Sequence, residues 1–246
     1  MLRPRRTLDH AVAAVQTYGL SYFHTKNAIA LERLRTEFKG KVEVLRLPAS
    51  VLRDLKAGSS APVSHGRIIL INGASSAGKS TLARALQQRL PEPFLHWSFD
   101  HLRTSDALPM ARIRSGELDW AAMRPAVFDG FHRSLPALAG AGNNLIVDHI
   151  IEEQRWLADL VALLAPFDVF FVGVQCPLPE LERRERERGD RRPGEARRDF
   201  DRVHRFTEYD LAIDATQPNE ENVTRLIAAW QARRRPTAFE RIGARR

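Results

Sequence analysis

A single cysteine, Cys176, occurs in 246 residues. That excludes an intramolecular disulfide and any zinc site built on several thiolates. No run of 18 apolar residues exists, so no segment reads as a membrane-spanning helix. The basic start M-L-R-P-R-R is followed by no apolar h-region, which argues against a signal peptide. The eight histidines show no H-E-x-x-H or other ligand spacing, and no N-K-x-D guanine signature occurs. These absences predict a cytoplasmic protein with a reduced thiol, no membrane partner, no structural metal and no GTPase activity.

The formal net charge is +8, a value that would ordinarily suggest nucleic acid. Its distribution argues otherwise. Residues 1–66 carry 11 Lys+Arg against 5 Asp+Glu, and residues 233–246 carry 6 Arg against 1 Glu. The body, 67–232, is left with 21 basic and 24 acidic residues. A nucleic-acid surface belongs in the body, so no nucleic-acid partner is expected and 233–246 reads as a basic, solubilising tail.

What is present is an alternation of β and α signals after a Gly/Ser/Pro linker at 57–66. Apolar runs predict strands at 67–72, 94–99, 144–148, 168–175 and 211–214. Helices are expected at 79–90, around 156–164 and at 219–235. The resulting fold class is α/β: a three-layer P-loop kinase-type fold with a five-stranded, mainly parallel sheet and a lid segment. Residues 1–56 read as a mostly helical extension, with a helix over 9–38 and a short strand at 43–48. Oligomeric state is not legible.

Gly73-Ala74-Ser75-Ser76-Ala77-Gly78-Lys79-Ser80 matches G-x-x-x-x-G-K-[ST] at every fixed position, between a strand and a helix. Its amides, continued by Thr81, would cradle ATP phosphates. Lys79 would reach the β- and γ-phosphates, and Ser80 would ligate Mg²⁺. Lys79 is also the only lysine after residue 56, in a region that otherwise uses arginine. A lysine in that setting points to a need for a compact point charge.

A kinase needs a carboxylate near the acceptor hydroxyl, a second anchor near the metal, and cations over the moving phosphoryl group. Asp100, after the second strand, is either the base or a helix N-cap. Asp148, ending the third, is either the metal carboxylate or a cap. Asp168 reads as a turn residue. Arg184, Arg188 and Arg191 fall at i, i+4 and i+7 on one helical face, and Gly189 and Gly194 could lend that lid mobility. Glu182–Arg186 and Arg183–Glu187 pairs on a solvated helix are the competing use of this stretch. His101 and His149 read as polar cleft residues. Trp97, Phe99, Trp120, Phe128 and Phe131 serve either an aromatic acceptor or the core.

Several segments together resemble the chloramphenicol phosphotransferase family: G-A-S-S-A-G-K-S, L-P-E-P-F-L, the stretch to Asp100, N-N-L-I-V-D-H, D-V-F-F-V-G-V-Q-C, R-R-E-R-E-R-G-D-R and V-H-x-x-x-x-Y-D-L. The resemblance spans 67 to about 230 in order. It implies transfer of the ATP γ-phosphate to a hydroxyl of an antibiotic such as chloramphenicol, with Asp100 as base and Arg184, Arg188 and Arg191 in the lid. The resemblance is weakest between Asp100 and Asn143, where the acceptor pocket would lie. A metabolic kinase of the shikimate, gluconate or nucleoside type stays open, as does a nucleotide-dependent toxin or regulatory module. Residues 1–66 loosely resemble the C-terminal part of a TRAP-type periplasmic solute-binding protein, which implies a gene-fusion remnant or an upstream start, without a ligand of its own; a helical cap is the competing reading.

Overall fold

The computed structural model describes residues 64–188 and 194–245. The expected helix at 9–38, the strand at 43–48, most of the linker, Gly189 and Arg191 lie outside the described residues.

Runs of apolar residues form the strands, as fully covered parallel strands require. β1 (Ile68–Gly73) is buried over its whole length and sits at the sheet's centre. β2 (Phe94–Ser98), β3 (Asn144–His149), β4 (Val169–Gln175) and β5 (Leu211–Asp214) complete the order β2-β3-β1-β4-β5. Every neighbouring pair is parallel. Nine helices are described: α1 (Lys79–Arg89), α2 (Phe99–Thr104), α3 (Met110–Arg114), α4 (Trp120–Gly140), α5 (Gln154–Leu164), α6 (Leu178–Arg188), α7 (Glu195–Phe200), α8 (Asn219–Gln231) and α9 (Ala238–Ala244). None of them is long and apolar enough to cross a membrane.

The period-2 alternation of β1 builds two cores. Ile69 and Ile71 pack with Leu82 and Leu86 of α1 and with Leu226 and Trp230 of α8. Ile68 and Leu70 pack with Phe128 and Leu135 of α4, Leu157 of α5 and Phe239 of α9. This is the expected three-layer α/β fold.

The closing helix expected at 219–235 ends at Gln231, and three further differences from expectation bear on the fold. β2 stops at Ser98, not at residue 99, because the Ser98 hydroxyl accepts the Asp100 N–H at 3.1 Å and starts α2 there. Gly66 is already part of the folded body. Its N–H donates to the Ala139 carbonyl at 2.8 Å, and a Cβ there would meet the Asn143 carbonyl oxygen at 1.8 Å. The third difference lies in the basic segment 233–246, which does not run free. Thr237 and Glu240 form a capping box that starts α9, and Ala238 and Phe239 are buried beneath the sheet. Several of its arginines have partners. Arg233 meets Asp168 at 2.7 Å and lies over the Trp230 ring at 3.5 Å; Arg241 meets Glu208 at 2.8 Å. An apolar pair hidden among arginines carries no strong sequence signal, which is why composition alone reads it as a tail. Asp168, read as a turn residue, is thus an ion-pair anchor.

Candidate active site

The loop Gly73–Gly78 joins the central strand to α1. Gly73 is obligatory, since a Cβ there would lie 2.7 Å from the Val174 carbonyl oxygen. Ser76 (φ 65°) and Gly78 (φ 91°) take left-handed backbone, which curls the loop over the start of α1. Among the described residues no side chain caps α1, so its first amides point into the loop, an arrangement suited to an anion. Among the described residues the buried Ser75 and Ser76 hydroxyls have no hydrogen-bond partner. Buried orphan donors beside uncapped amides fit a phosphate-bearing ligand.

Lys79 is buried and donates to the Ala74 carbonyl at 2.9 Å. Its ammonium is 3.9 Å from Asp148 Oδ1. The Ser80 hydroxyl donates to Asp148 Oδ2. Register explains the meeting, because Asp148 lies opposite Ile71 of β1 and Ser98 of β2, at the carboxyl end of the sheet. Burial pushes Asp148 up, yet the neighbouring His96 ring, Lys79 and Ser80 outweigh it and hold the carboxyl below its ordinary value. Asp148 caps no helix; the next one begins at Gln154 after Glu153. Serine hydroxyl and ionised carboxylate are the hard oxygen donors that Mg²⁺ takes alongside phosphate oxygens.

Asp100 is not an N-cap either, since Ser98 holds that position. It stands half-exposed in the first turn of α2, and its carboxylate pairs with Arg103 at 3.4 Å. It leaves the sheet two residues after Ser98, the strand partner of Asp148. Both candidate aspartates therefore rise from the same corner.

On the other side of the loop, Arg184 donates to Glu180 at 2.6 Å and to the Ala215 carbonyl at 2.8 Å. A Cβ on Gly78 would be 3.6 Å from its Nη1. Arg184, Arg188, Gly78, Thr81, Gln217 and Asn219 line a cleft of about 510 Å³. The ion-pair use of α6 is present too. Arg183 holds Glu187, whereas Glu182, expected to pair with Arg186, accepts from Arg197 at 2.9 Å.

Sequence reasoning misses three features. His96 stands with Nε2 3.8 Å from Asp148 Oδ2 and its ring 4.8 Å from that of His101. A polar residue inside an otherwise apolar strand was the available signal. Asp199, from α7, accepts the Ser75 backbone N–H at 3.0 Å. Asn72, wholly buried, donates to the Val203 carbonyl and the Tyr209 hydroxyl at 2.9 Å each and accepts the Ile151 N–H at 2.9 Å. One amide side chain thus ties the end of β1 to the segments after α7 and β3.

His149 does not line the cleft. Strand alternation turns it into the core, where its Nε2 meets His132 Nε2 at 2.9 Å among Phe128, Phe131 and Trp156. Phe128 and Phe131 are likewise core; Trp97, Phe99 and Trp120 are partly buried against them. Burial lowers His132 to about 4 from 6.5 and lowers His149 well below that ordinary value. The fold therefore refuses protons that the unfolded chain takes up. Stability should be full above about pH 6.5 and decline as pH falls, with His132 alone contributing a loss of about 3 kcal/mol by pH 4. Urea midpoints from pH 7.5 to 4.5 test this. The double variant His132→Leu, His149→Leu should show the flatter profile; parallel profiles would refute the assignment.

A glycine loop shaped to take an anion, a lysine and serine at the foot of α1, and a carboxylate on the adjoining strand define a P-loop phosphotransferase of the small kinase type. Residues 66–231 match the family model described as chloramphenicol phosphotransferase-like protein, and the chain belongs to that family. Two Mycobacterium tuberculosis relatives, "Putative O-phosphotransferase Rv2636" (strain H37Rv) and "Putative O-phosphotransferase MT2714" (strain CDC 1551), are each 32% identical over 210 residues, covering 77% of this chain and 93% of theirs. Among solved structures, the APS kinase CysC of M. tuberculosis superposes with a TM-score of 0.53 at 20% identity, covering 68% of this chain and 98% of that one, a likeness of fold.

Proposed function

We propose that this chain is a cytoplasmic, ATP-dependent phosphotransferase that moves the γ-phosphate to a hydroxyl of a small molecule, with an antibiotic such as chloramphenicol as the favoured acceptor. The contact of Lys79 and Ser80 with Asp148 beneath the loop carries this reading. The family's description supports an antibiotic acceptor.

In this scheme the loop amides and α1 hold the phosphates. Ser80 and Asp148 would hold Mg²⁺, whose charge offsets that of the phosphate oxygens. Lys79 keeps a positive charge beside the terminal phosphates, and Arg184 and Arg188 supply charge from the opposite wall. The acceptor oxygen bonds to the γ-phosphorus as the bond to the β–γ bridging oxygen breaks, and ADP leaves. A hydroxyl is a weak acid, so Asp100 orients it and takes its proton late. Arg191, lying outside the described residues, keeps its proposed place in the lid.

Asp100→Ala should lower transfer by about 10²–10⁴-fold while ATP still binds. Near-normal turnover would remove Asp100 from the role of base. The acceptor is tested by drug susceptibility of cells expressing residues 64–246, with Lys79→Ala as control. Resistance that needs Lys79 supports an antibiotic acceptor. Phosphate appearing only on a metabolic alcohol in an acceptor panel would replace it.

A further inference from the structure

Among the described residues, three buried side-chain nitrogen or oxygen atoms have no hydrogen-bond partner: Ser75 Oγ, Ser76 Oγ and His96 Nε2. A buried polar atom without a partner calls for an explanation. The two serines lie in the phosphate loop, where phosphate oxygens would satisfy them. His96 lies on β2, so the loop does not account for it. Its side chain is only 8% exposed, and Nε2 faces Asp148 at 3.8 Å from Oδ2. That gap is about 0.6 Å beyond the reach of a good N–H···O bond.

Strand register sets the direction. His96 lies opposite Ile146, and Ser98 opposite Asp148. His96 and Asp148 therefore share with Ile146 the sheet face that α1 covers. The ring is braced from α2 by His101, whose own ring meets it edge-on at 4.8 Å and 76°.

Asp148 has two other polar neighbours, Lys79 at Oδ1 and the Ser80 hydroxyl at Oδ2. Both have further duties in an ATP site: Lys79 toward phosphate and Ser80 toward Mg²⁺. Among the described residues, His96 Nε2 is committed to nothing else. The Asp148 side chain is 5% exposed, so water cannot replace a donor that is drawn away. A carboxylate that meets a metal keeps its orientation through an outer hydrogen-bond partner, and removing such a partner typically costs about 10–100-fold in metal affinity.

We propose that His96 is the positioning residue of the cation site. As Ser80 turns to the cation and Lys79 to the phosphates, the His96 Nε2–H closes on Asp148 Oδ2 and holds the carboxylate in place. Facing an ionised carboxylate, Nε2 is the ring nitrogen that carries the proton. The brace from His101, next to Asp100, gives the proposed base and the metal carboxylate one shared support. This inference rests on the reading of the cleft as an ATP–Mg²⁺ site.

Mn²⁺, followed by its EPR signal, is the probe, with the full chain and AMPPNP. His96→Leu should bind Mn²⁺ about 10–100-fold more weakly in the AMPPNP complex, yet bind AMPPNP without metal within about twofold of wild type. His96→Gln, which returns an N–H near the Nε2 position, should recover Mn²⁺ affinity to within about threefold of wild type. A merely structural role would weaken metal-free AMPPNP binding equally and gain nothing from glutamine. Either of those results, or unchanged Mn²⁺ affinity in His96→Leu, would overturn the proposal. A crystal structure of the wild type with Mg²⁺ and AMPPNP supplies a test without variants: Nε2 should lie within about 3.2 Å of an Asp148 oxygen. A ring left outside that reach, or bound to the metal itself, would overturn the positioning role. A wild type that binds AMPPNP equally with and without divalent metal removes the ATP–Mg²⁺ reading and this proposal with it. Metal-dependent binding that is indifferent to His96 removes the proposal alone.

Discussion

Lys79→Met is expected to lower phosphotransfer by about a thousandfold, the upper end of the loss seen when one preorganised electrostatic group is removed. The side chain is buried, bonded to the Ala74 carbonyl and 3.9 Å from Asp148. Its cation therefore needs no rearrangement to act on a phosphate in the loop. Methionine keeps the volume and the apolar stem, so the loss isolates the charge. The variant also leaves Asp148 with less compensation, and a modest drop in stability should accompany the lost turnover. Steady-state kinetics with ATP and the best acceptor, set beside a melting curve, decide the matter. A folded Lys79→Met variant with turnover within about tenfold of wild type would show that the loop serves binding and not transfer.

Gly173→Ala is expected to destabilise the fold by about 3–5 kcal/mol, combining overpacking with a broken buried hydrogen-bond network. A Cβ at Gly173 would lie 2.4 Å from Tyr209 Cε2 and 2.5 Å from Cδ2. The ring cannot swing aside cheaply. Its hydroxyl meets His204 Nδ1 at 2.7 Å and accepts from Asn72 at 2.9 Å, and the ring packs on Phe171 at 4.8 Å. Since a domain of this kind holds a net stability of about 5–15 kcal/mol, such a loss would be visible as poor expression or a much lower melting temperature. A double-mutant cycle gives the sharper readout. In a Tyr209→Ala background the Gly173→Ala cost should fall below about 1 kcal/mol. An undiminished cost would place the strain elsewhere.

Much of this is legible in the chain of residues alone. The loop motif, the apolar runs that become β1 and β4, and the carboxylate closing β3 are local signals, each readable within a few residues. Gly173 and Tyr209 both lie in segments carrying the family resemblance, but only packing says why: one makes room for the other. What stayed hidden is relational. Glu185 reads as one more acid in an Arg/Glu helix, and only its bonds to Gly194 and Ala196 show it capping α7. His132 and His149 lie 17 residues apart on a helix and a strand, and no spacing rule predicts that they meet. Asp199 and Ser75 are separated by 124 residues. Such pairings depend on how the layers are stacked, and sequence periodicity reports only which face of an element is covered.

The docking of α9 bears on where this enzyme ends. The family match stops at residue 231, and packing does not. Asp210 accepts from Phe171 N–H at 2.9 Å with one oxygen and from Ala238 N–H at 2.6 Å with the other. The last helix is thereby stitched to the same carboxylate that finishes the edge of the sheet. A protein cut at the homology boundary would uncover the face of Phe171 that Phe239 now shields at 5.1 Å. The shortest autonomous unit is set by that seam, about a dozen residues beyond the point where kinship can be read.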